Sequence, residues 1–419
     1  MRRTYDASVV VEAWGAHIPA ATYGPPRLGG AVIARPAVTR SLLASDAELV
    51  VLTAPAGYGK TTAVALWDDA DTRPFAWVRL DHLDNDPAHL LLHLVTAVDQ
   101  VASVDAATFQ YLRGAGRAVE SQLVPAVVAT LESAEPIVLV LDDTHELTHA
   151  AAVGALRALV QLAPQTTTLT LIGRHAPPLD LARRKLQGDV LEIGTEQLKL
   201  SAAEAESALD AVGGPAGPTT ALVIERCEGW AAGVVMAAMA LRDGASGDVI
   251  TGRHRLVADY LVEEVLSHLD PEVETFLVES AVLDHFSADD LNSVLQRDDS
   301  SDMLGAIHAS GNLFLVPLDA EGIAYRYHRL FADQLRARLR NRDPARFRGV
   351  AARAAERLEH TGDIDGALLQ ALAADDPARA AALVQRDAVR LGFDGRAGTL
   401  ARRLSLLDEQ VFTEYPDAA

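Results

Sequence analysis

The stretch Leu49-Val50-Val51-Leu52-Thr53-Ala54-Pro55-Ala56-Gly57-Tyr58-Gly59-Lys60-Thr61-Thr62-Ala63-Val64-Ala65-Leu66-Trp67 decides the fold. Residues 49–53 are an apolar run long enough for one buried strand. Residues 63–67 read as the first turns of a helix. Between them lies a glycine-containing loop ending in Gly-Lys-Thr, and strand, loop and helix in that order are the context of a P-loop. Each residue type has a reason to be there. Gly57 and Gly59 let backbone N–H groups surround phosphates. The helix N-terminus adds partial positive charge. Lys60 is expected to reach the β- and γ-phosphates of a nucleotide, and Thr61 to offer its hydroxyl to Mg²⁺. The whole segment Gly57, Tyr58, Gly59, Lys60, Thr61 and Thr62 is the expected phosphate cradle. One departure stands out: the usual first glycine of the pattern is Ala54 here.

Working outward, a second set of carboxylates is expected on a neighbouring strand. The apolar run 136–141 leads into Asp142-Asp143. A buried strand ending in two carboxylates suits one Mg²⁺ holder, Asp142, and one base that orients the attacking water, Asp143. A further apolar run, 168–173, ends at Arg174, whose guanidinium is placed to sense or stabilise a γ-phosphate. Strands expected at 49–53, 75–79, 136–141, 168–173 and 189–193 alternate with helical stretches. That pattern implies a three-layer α/β domain with a parallel sheet, with the ligand at the carboxyl ends of the strands.

After residue 200 strand character ceases for about a hundred residues. Ser201 and Glu204 form a capping-box pattern that opens a helix, which stops by Gly213-Gly214-Pro215. A second helix is expected around Glu228-Gly229-Trp230-Ala231-Ala232-Gly233. From 250 to 340 the style changes again. Asp270-Pro271-Glu272 and Ser287-Ala288-Asp289-Asp290 open helices. Runs 313–318 and 323–327 flank Asp319-Ala320-Glu321-Gly322 as a hairpin, and helices followed by a hairpin suggest a winged helix. From 344 the chain is alanine-rich and amphipathic, with turns at 361–363, 375–377 and 392–395. Antiparallel helix pairs of this kind begin a solenoid, and a solenoid needs several repeats and a cap. The chain is therefore read as a piece of a longer one.

Composition limits the function. The 419 residues suit two to four domains at roughly 100–200 residues each. Thirty-seven Lys and Arg stand against 58 Asp and Glu, a formal charge of −21. Residues 250–340 hold 8 Arg and no Lys against 16 acidic residues. Nucleic-acid affinity rests on Lys and Arg displacing counterions, so direct DNA binding by this winged segment is not expected. Apolar runs such as Ala231–Leu241 fall short of the ~18–20 residues of a membrane span. No apolar core follows Met1-Arg2-Arg3. Cys227 is the single cysteine, which excludes an intrachain disulfide and makes a reducing cytoplasm the natural compartment. His89 and His93, four apart with Asp86 upstream, have a metal-binding spacing, but no third convergent ligand is evident in the sequence, and Asp86-Pro87 reads as a helix start. Cys227 reads as a small buried residue, and Arg183-Arg184-Lys185 as a short solvated cluster.

The chain resembles the N-terminal half of MalT-like regulators, the large ATP-binding members of the LuxR group, which are STAND-class signal-transduction ATPases. The resemblance is carried by 54–62, where Ala54 is usual for the group. It continues in Leu80-Asp81 with Asp84-Asn85-Asp86-Pro87, in 141–145, and in Gly173-Arg174 before Pro177-Pro178. Further on come Glu228-Gly229-Trp230-Ala231, 259–265, and Tyr327-His328-Arg329-Leu330-Phe331. The group usually has Ser-Arg at Gly173-Arg174 and often Tyr at Thr144. The likeness implies a P-loop domain at 27–199, a helical domain at 200–248, a winged helix at 249–342 and the start of a helical sensor at 343–419, with 1–26 unassigned. It implies an ADP-bound closed state that ATP and an inducer on the sensor open for self-association. DNA binding and RNA polymerase recruitment would then fall to a C-terminal helix-turn-helix that this chain does not include. It further implies that His328 touches the ADP β-phosphate, that the segment at Arg35-Pro36 lines the adenine, and that Gly229-Trp230 packs either there or in the core. Two other readings remain at this stage: an ATP-driven enzyme with steady turnover, and a scaffold signalling through proteins rather than DNA.

Overall fold

The computed structural model describes residues 11–13, 16–18, 23–26, 32–113, 118–211, 218–242, 254–310, 314–319, 321–393 and 397–407. The expected stop at Gly213-Gly214-Pro215 and the second half of the turn at 392–395 lie outside these residues. The described chain forms two compact units, one of residues 1–247 with 309–312 and one of 248–308 with 313–419.

In the first unit, β1 (Val11–Ala13) and β2 (Ala16–Ile18) pair as a small antiparallel ribbon. The main sheet is built from β3 (Leu49–Thr53), β4 (Phe75–Arg79), β5 (Ile137–Asp142), β6 (Thr167–Gly173) and β7 (Val190–Ile193). All of its pairings are parallel, and the order across it is β4-β5-β6-β3-β7. One expectation needs correction. The strand that carries Asp142 does not neighbour the loop-bearing strand β3, because β6 lies between them. Apolar runs alike in composition cannot announce which partner each takes. The strand ends differ from the expected ones by a single residue at β5, β6 and β7.

The alternation of side chains along the strands makes the layers. Leu49, Val51, Ala76, Val78, Leu139 and Leu141 share a core with the helices Pro87–Asp99, Val124–Ser133 and Ala150–Leu162. On the opposite face, Phe75 meets Trp67 of the helix Lys60–Ala70 edge-on at 4.9 Å. Trp77 donates from Nε1 to Asp68 of the same helix at 2.9 Å. Helices thus cover both faces, as an all-parallel sheet demands. Tyr23, from the unassigned leading segment, is buried in the first of these cores.

Beyond the sheet, the Ser201–Glu204 capping box forms as read, with Ser201 N–H donating to Glu204 at 2.9 Å, and opens the helix Ala202–Ala211. The single helix expected around Glu228–Gly233 is instead two, Pro218–Cys227 and Ala231–Arg242. Glu228 and Gly229 both take positive φ, 49° and 78°, which breaks the helical path between them.

The second unit contains the helices Pro271–Ser280, Ala288–Leu295 and Ser300–Ser310 and a small antiparallel sheet. That sheet has β8 (Phe286–Ser287), β9 (Leu315–Pro317) and β10 (Ala324–Tyr327), ordered β8-β10-β9. Helices plus a wing hairpin are the expected winged-helix plan. Helices Arg329–Arg342, Pro344–Thr361, Ile364–Ala373, Pro377–Phe393 and Ala397–Leu404 follow, the later ones packed around small residues such as Ala355, Ala367 and Ala371. Among the described residues, no helix is long and apolar enough to cross a membrane.

Candidate functional site

The loop after β3 carries its turn in two glycines. Gly57 and Gly59 have φ of 78° and 79°, a region that costs other L-residues about 1 kcal/mol or more. Ala54 is not among the positive-φ positions, so alanine there is no strain, and the departure from the usual glycine has a conformational explanation. Gly59 caps the helix that Lys60 begins, and its carbonyl accepts from Ala63 N–H at 2.8 Å. The loop is held from behind. Trp230, fully buried, donates from Nε1 to Ala56 O at 3.0 Å, and Ala232 N–H donates to Gly57 O at 2.9 Å. These two bonds use the loop's carbonyl acceptors and none of its N–H donors. Trp230 is therefore a core tryptophan that braces the loop, the second of the two readings left open for it.

The charged groups converge here. Lys60 Nζ donates to Ala54 O at 2.7 Å and Pro55 O at 3.1 Å. Thr61 Oγ1 donates to Asp142 Oδ1 at 3.2 Å, so residues 81 apart in sequence meet across the intervening strand β6. Asp143 follows in a left-handed conformation, φ 60°, with its N–H on Asp142 Oδ1 at 3.0 Å and its carboxylate on Arg79 Nε at 3.0 Å. A non-glycine residue at positive φ at such a place is the kind of strain that functional sites hold. Thr62 lies one position further into the helix, and Tyr58 is buried within the loop. Thr144 donates to Ile172 O at 3.1 Å, and a Cβ at Gly173 would meet Thr144 Oγ1 at 2.6 Å. Gly173 and Thr144 thus fit one another sterically.

Electrostatics ties the group together. Burial pushes the Lys60 ammonium down to about 8, with Asp142 and Asp143 opposing and Arg174 adding to the fall. Burial, then the charge of Asp143, pushes the Asp142 carboxyl up to about 6 against the hydrogen bond from Thr61. Burial also lowers His145, to about 4, with Arg174 and Lys60 contributing against Asp143, so its imidazole is neutral at pH 7. A lysine whose charge is disfavoured gains from a nearby anion, and an aspartate whose charge is disfavoured gains from a nearby cation. A magnesium–phosphate pair supplies both. The residues present therefore fit Mg²⁺ held by Thr61 and Asp142, and a polyphosphate on 57–62.

Arg35, Pro36 and His328 each have defined surroundings within their own unit. Arg35 is buried, with Nη2 on Leu198 O at 2.8 Å and Lys199 O at 3.1 Å, and pairs with Glu204 at 3.3 Å. Its guanidinium is spent on joining the start of the domain to the 195–204 segment. Pro36 opens the helix Pro36–Leu43 and is exposed. In the second unit, His328 is buried at the N-terminus of the helix Arg329–Arg342, its N–H donating to Phe314 O at 2.7 Å and its ring 5.5 Å from that of Phe314.

The sequence reading missed Asp84 as a partner for the two histidines. His89 Nδ1 lies 3.1 Å and His93 Nδ1 2.8 Å from Asp84 Oδ1. The 3₁₀ turn His82–Asn85 folds Asp84 back over the helix Pro87–Asp99, so a carboxylate five residues before His89 becomes its neighbour.

Comparison with known proteins agrees with these features. Residues 43–177 match the model of the AAA domain, and residues 262–347 that of the MalT winged helix domain. The chain is 28% identical over 416 residues to the HTH-type transcriptional regulator MalT of Serratia proteamaculans, covering 96% of this chain and 45% of that one. It is 29% identical over 370 residues to MalT of Cronobacter sakazakii, covering 86% and 41%. It thus spans a little under half the length of these relatives. In fold it is similar to a Walker-type ATPase of Pyrococcus abyssi, at a TM-score of 0.54 and 13% identity, over 73% of this chain and 96% of that one. The resemblance to MalT-like regulators runs through most of the chain.

Proposed function

We propose that this chain is the adenine-nucleotide switch of a MalT-like regulator. One observation carries the reading: Thr61 and Asp142 meet at 3.2 Å beside a glycine loop whose lysine is the neighbouring charge. In this reading Lys60 leaves the Ala54 and Pro55 carbonyls to hold the β- and γ-phosphates. Thr61 and Asp142 hold Mg²⁺, which when bound neutralises phosphate charge. Asp143 orients the attacking water and Arg174 senses the γ-phosphate. His328 reads the bound ADP and favours the resting state. Hydrolysis is slow, because a switch needs residence rather than turnover. ATP and an inducer on the helical sensor release the chain for self-association in the cytoplasm, and a C-terminal helix-turn-helix in the parent protein binds promoters. The Arg35-Pro36 segment lines the adenine, with the Arg35 guanidinium fixing the 195–204 segment and the exposed Pro36 ring and the backbone left to meet the base.

The test is direct. Purified native chain is denatured and its released nucleotide separated by chromatography. ADP near one equivalent is expected from the native chain, none from Lys60→Ala, and faster loss of ADP on dilution from His328→Ala. Absence of nucleotide together with no ATP binding by calorimetry refutes the switch, and unchanged ADP retention in His328→Ala removes His328 from it. Turnover near ~10 s⁻¹ without a partner would instead favour a working enzyme.

A further inference from the structure

We propose that Asp84, His89 and His93 form a divalent metal site, of the Zn²⁺ class, that pins the turn between β4 and the helix Pro87–Asp99. The donor atoms Asp84 Oδ1, His89 Nδ1 and His93 Nδ1 all lie within 4.8 Å of one another. The two measured separations, 3.1 and 2.8 Å, sit close to the ligand–ligand edges of about 2.9–3.4 Å that metal bonds of about 2.0–2.1 Å produce. Two imidazoles and one carboxylate are the donor set that suits zinc, whereas Mg²⁺ prefers oxygen alone.

The site is built rather than incidental. His89 and His93 stand one turn apart on one helix face. Asp84 is fully buried, and its second oxygen is engaged by Asp81 N–H at 2.9 Å, which aims Oδ1 at the histidines. Such outer bonds orient metal-ligating carboxylates. Access is from the His89 side, whose side chain is 21% exposed while that of His93 is 3% exposed. Asp81 and Asp86 add negative potential at His89.

The consequence reaches the nucleotide site through one residue. Asn85, next to Asp84, donates to Glu146 O at 2.8 Å and accepts from the N–H groups of Thr148 and His149 at 2.8 Å each. The turn that the metal would fix therefore holds the loop that follows Asp142-Asp143. None of this depends on what nucleotide, if any, the chain binds.

Equilibrium dialysis of the EDTA-stripped full chain against micromolar zinc, with bound metal counted by mass spectrometry, tests the site. The native chain is expected to hold one zinc more than His89→Ala, and zinc to raise the melting temperature of the native chain but not of the variant. Magnesium is expected to produce neither effect. Thr61 and Asp142 are intact in both chains, so zinc at the nucleotide site cancels in the difference. His89 sits at the part-exposed rim of the site. Cobalt provides a second readout: the visible absorption of the bound ion should appear in the native chain, with affinity at least about tenfold weaker in His89→Ala. Equal zinc counts, or a cobalt spectrum and affinity unchanged by the substitution, overturn the proposal.

Discussion

At Lys60 and Asp142, two charges are held in surroundings that disfavour both. The lysine stands at about 8 and the aspartate at about 6, burial being the first cause in each case. Phosphate binding needs the ammonium charged, so above pH about 8 the free protein must take up a proton to bind. Mg²⁺ binding needs the carboxylate ionised, so below pH about 6 a proton must be released. Affinity for magnesium–nucleotide is then greatest between these values and falls towards tenfold per unit outside them. Titration calorimetry across pH 5 to 9.5 checks it, and a flat profile contradicts the assignment. The same reasoning gives a stability effect. A carboxyl raised in the folded state costs stability above its unfolded value, so Asp142→Asn should stabilise the nucleotide-free chain by on the order of 1 kcal/mol while abolishing magnesium-dependent binding. Thermal melting with and without ligand reads both signs.

Among elements, the junction between the phosphate loop and the helix Ala231–Arg242 governs how well the loop is preformed. Trp230 Nε1 is the donor to Ala56 O, and Trp230→Phe keeps the ring packing while leaving a buried carbonyl unpaired. That costs about 1–3 kcal/mol. We expect a lower melting temperature and nucleotide affinity weakened about tenfold, since 1.4 kcal/mol is one decade. An unchanged dissociation constant in calorimetry would mean that the loop does not lean on this residue. The sequence announced some of this and hid the rest, for physical reasons. Residues 49–67 were readable because a run of apolar residues, two glycines and a Gly-Lys-Thr each point to one geometry. The Ser201–Glu204 cap was readable because it is local. The place of β6 between β3 and β5 was hidden, because strand pairing is a long-range choice among similar apolar runs. Asp84 was hidden because a 3₁₀ turn, not helical spacing, brings it to the histidines. The partners of Arg35 were hidden because the carbonyls of 198 and 199 lie more than 160 residues away in sequence.

Across the whole molecule, charge sets what it meets. The chain carries −21 overall, and residues 250–340 hold twice as many acidic residues as arginines. Three of its arginines pair with carboxylates of their own unit: Arg338 with Glu274 at 2.8 Å, Arg336 with Asp284 at 2.5 Å and Arg297 with Asp299 at 2.5 Å. A winged helix that presents a basic helix to DNA gains affinity by releasing counterions, and its binding weakens steeply with salt. A guanidinium already paired with a carboxylate releases little. We therefore expect this chain to bind duplex DNA more weakly than about 10⁻⁴ M even at low salt, below the usual non-specific range. Fluorescence anisotropy with a labelled random duplex, read at low and moderate salt with ADP and with ATP, measures it. Micromolar binding with a strong salt slope would reveal a basic surface assembled from residues distant in sequence, and would return the winged segment to the DNA-binding class. Binding only in the ATP state would tie that surface to self-association. No binding in either state is the outcome the acidic balance of residues 250–340 implies, and it fits the proposal that a further domain recognises promoters.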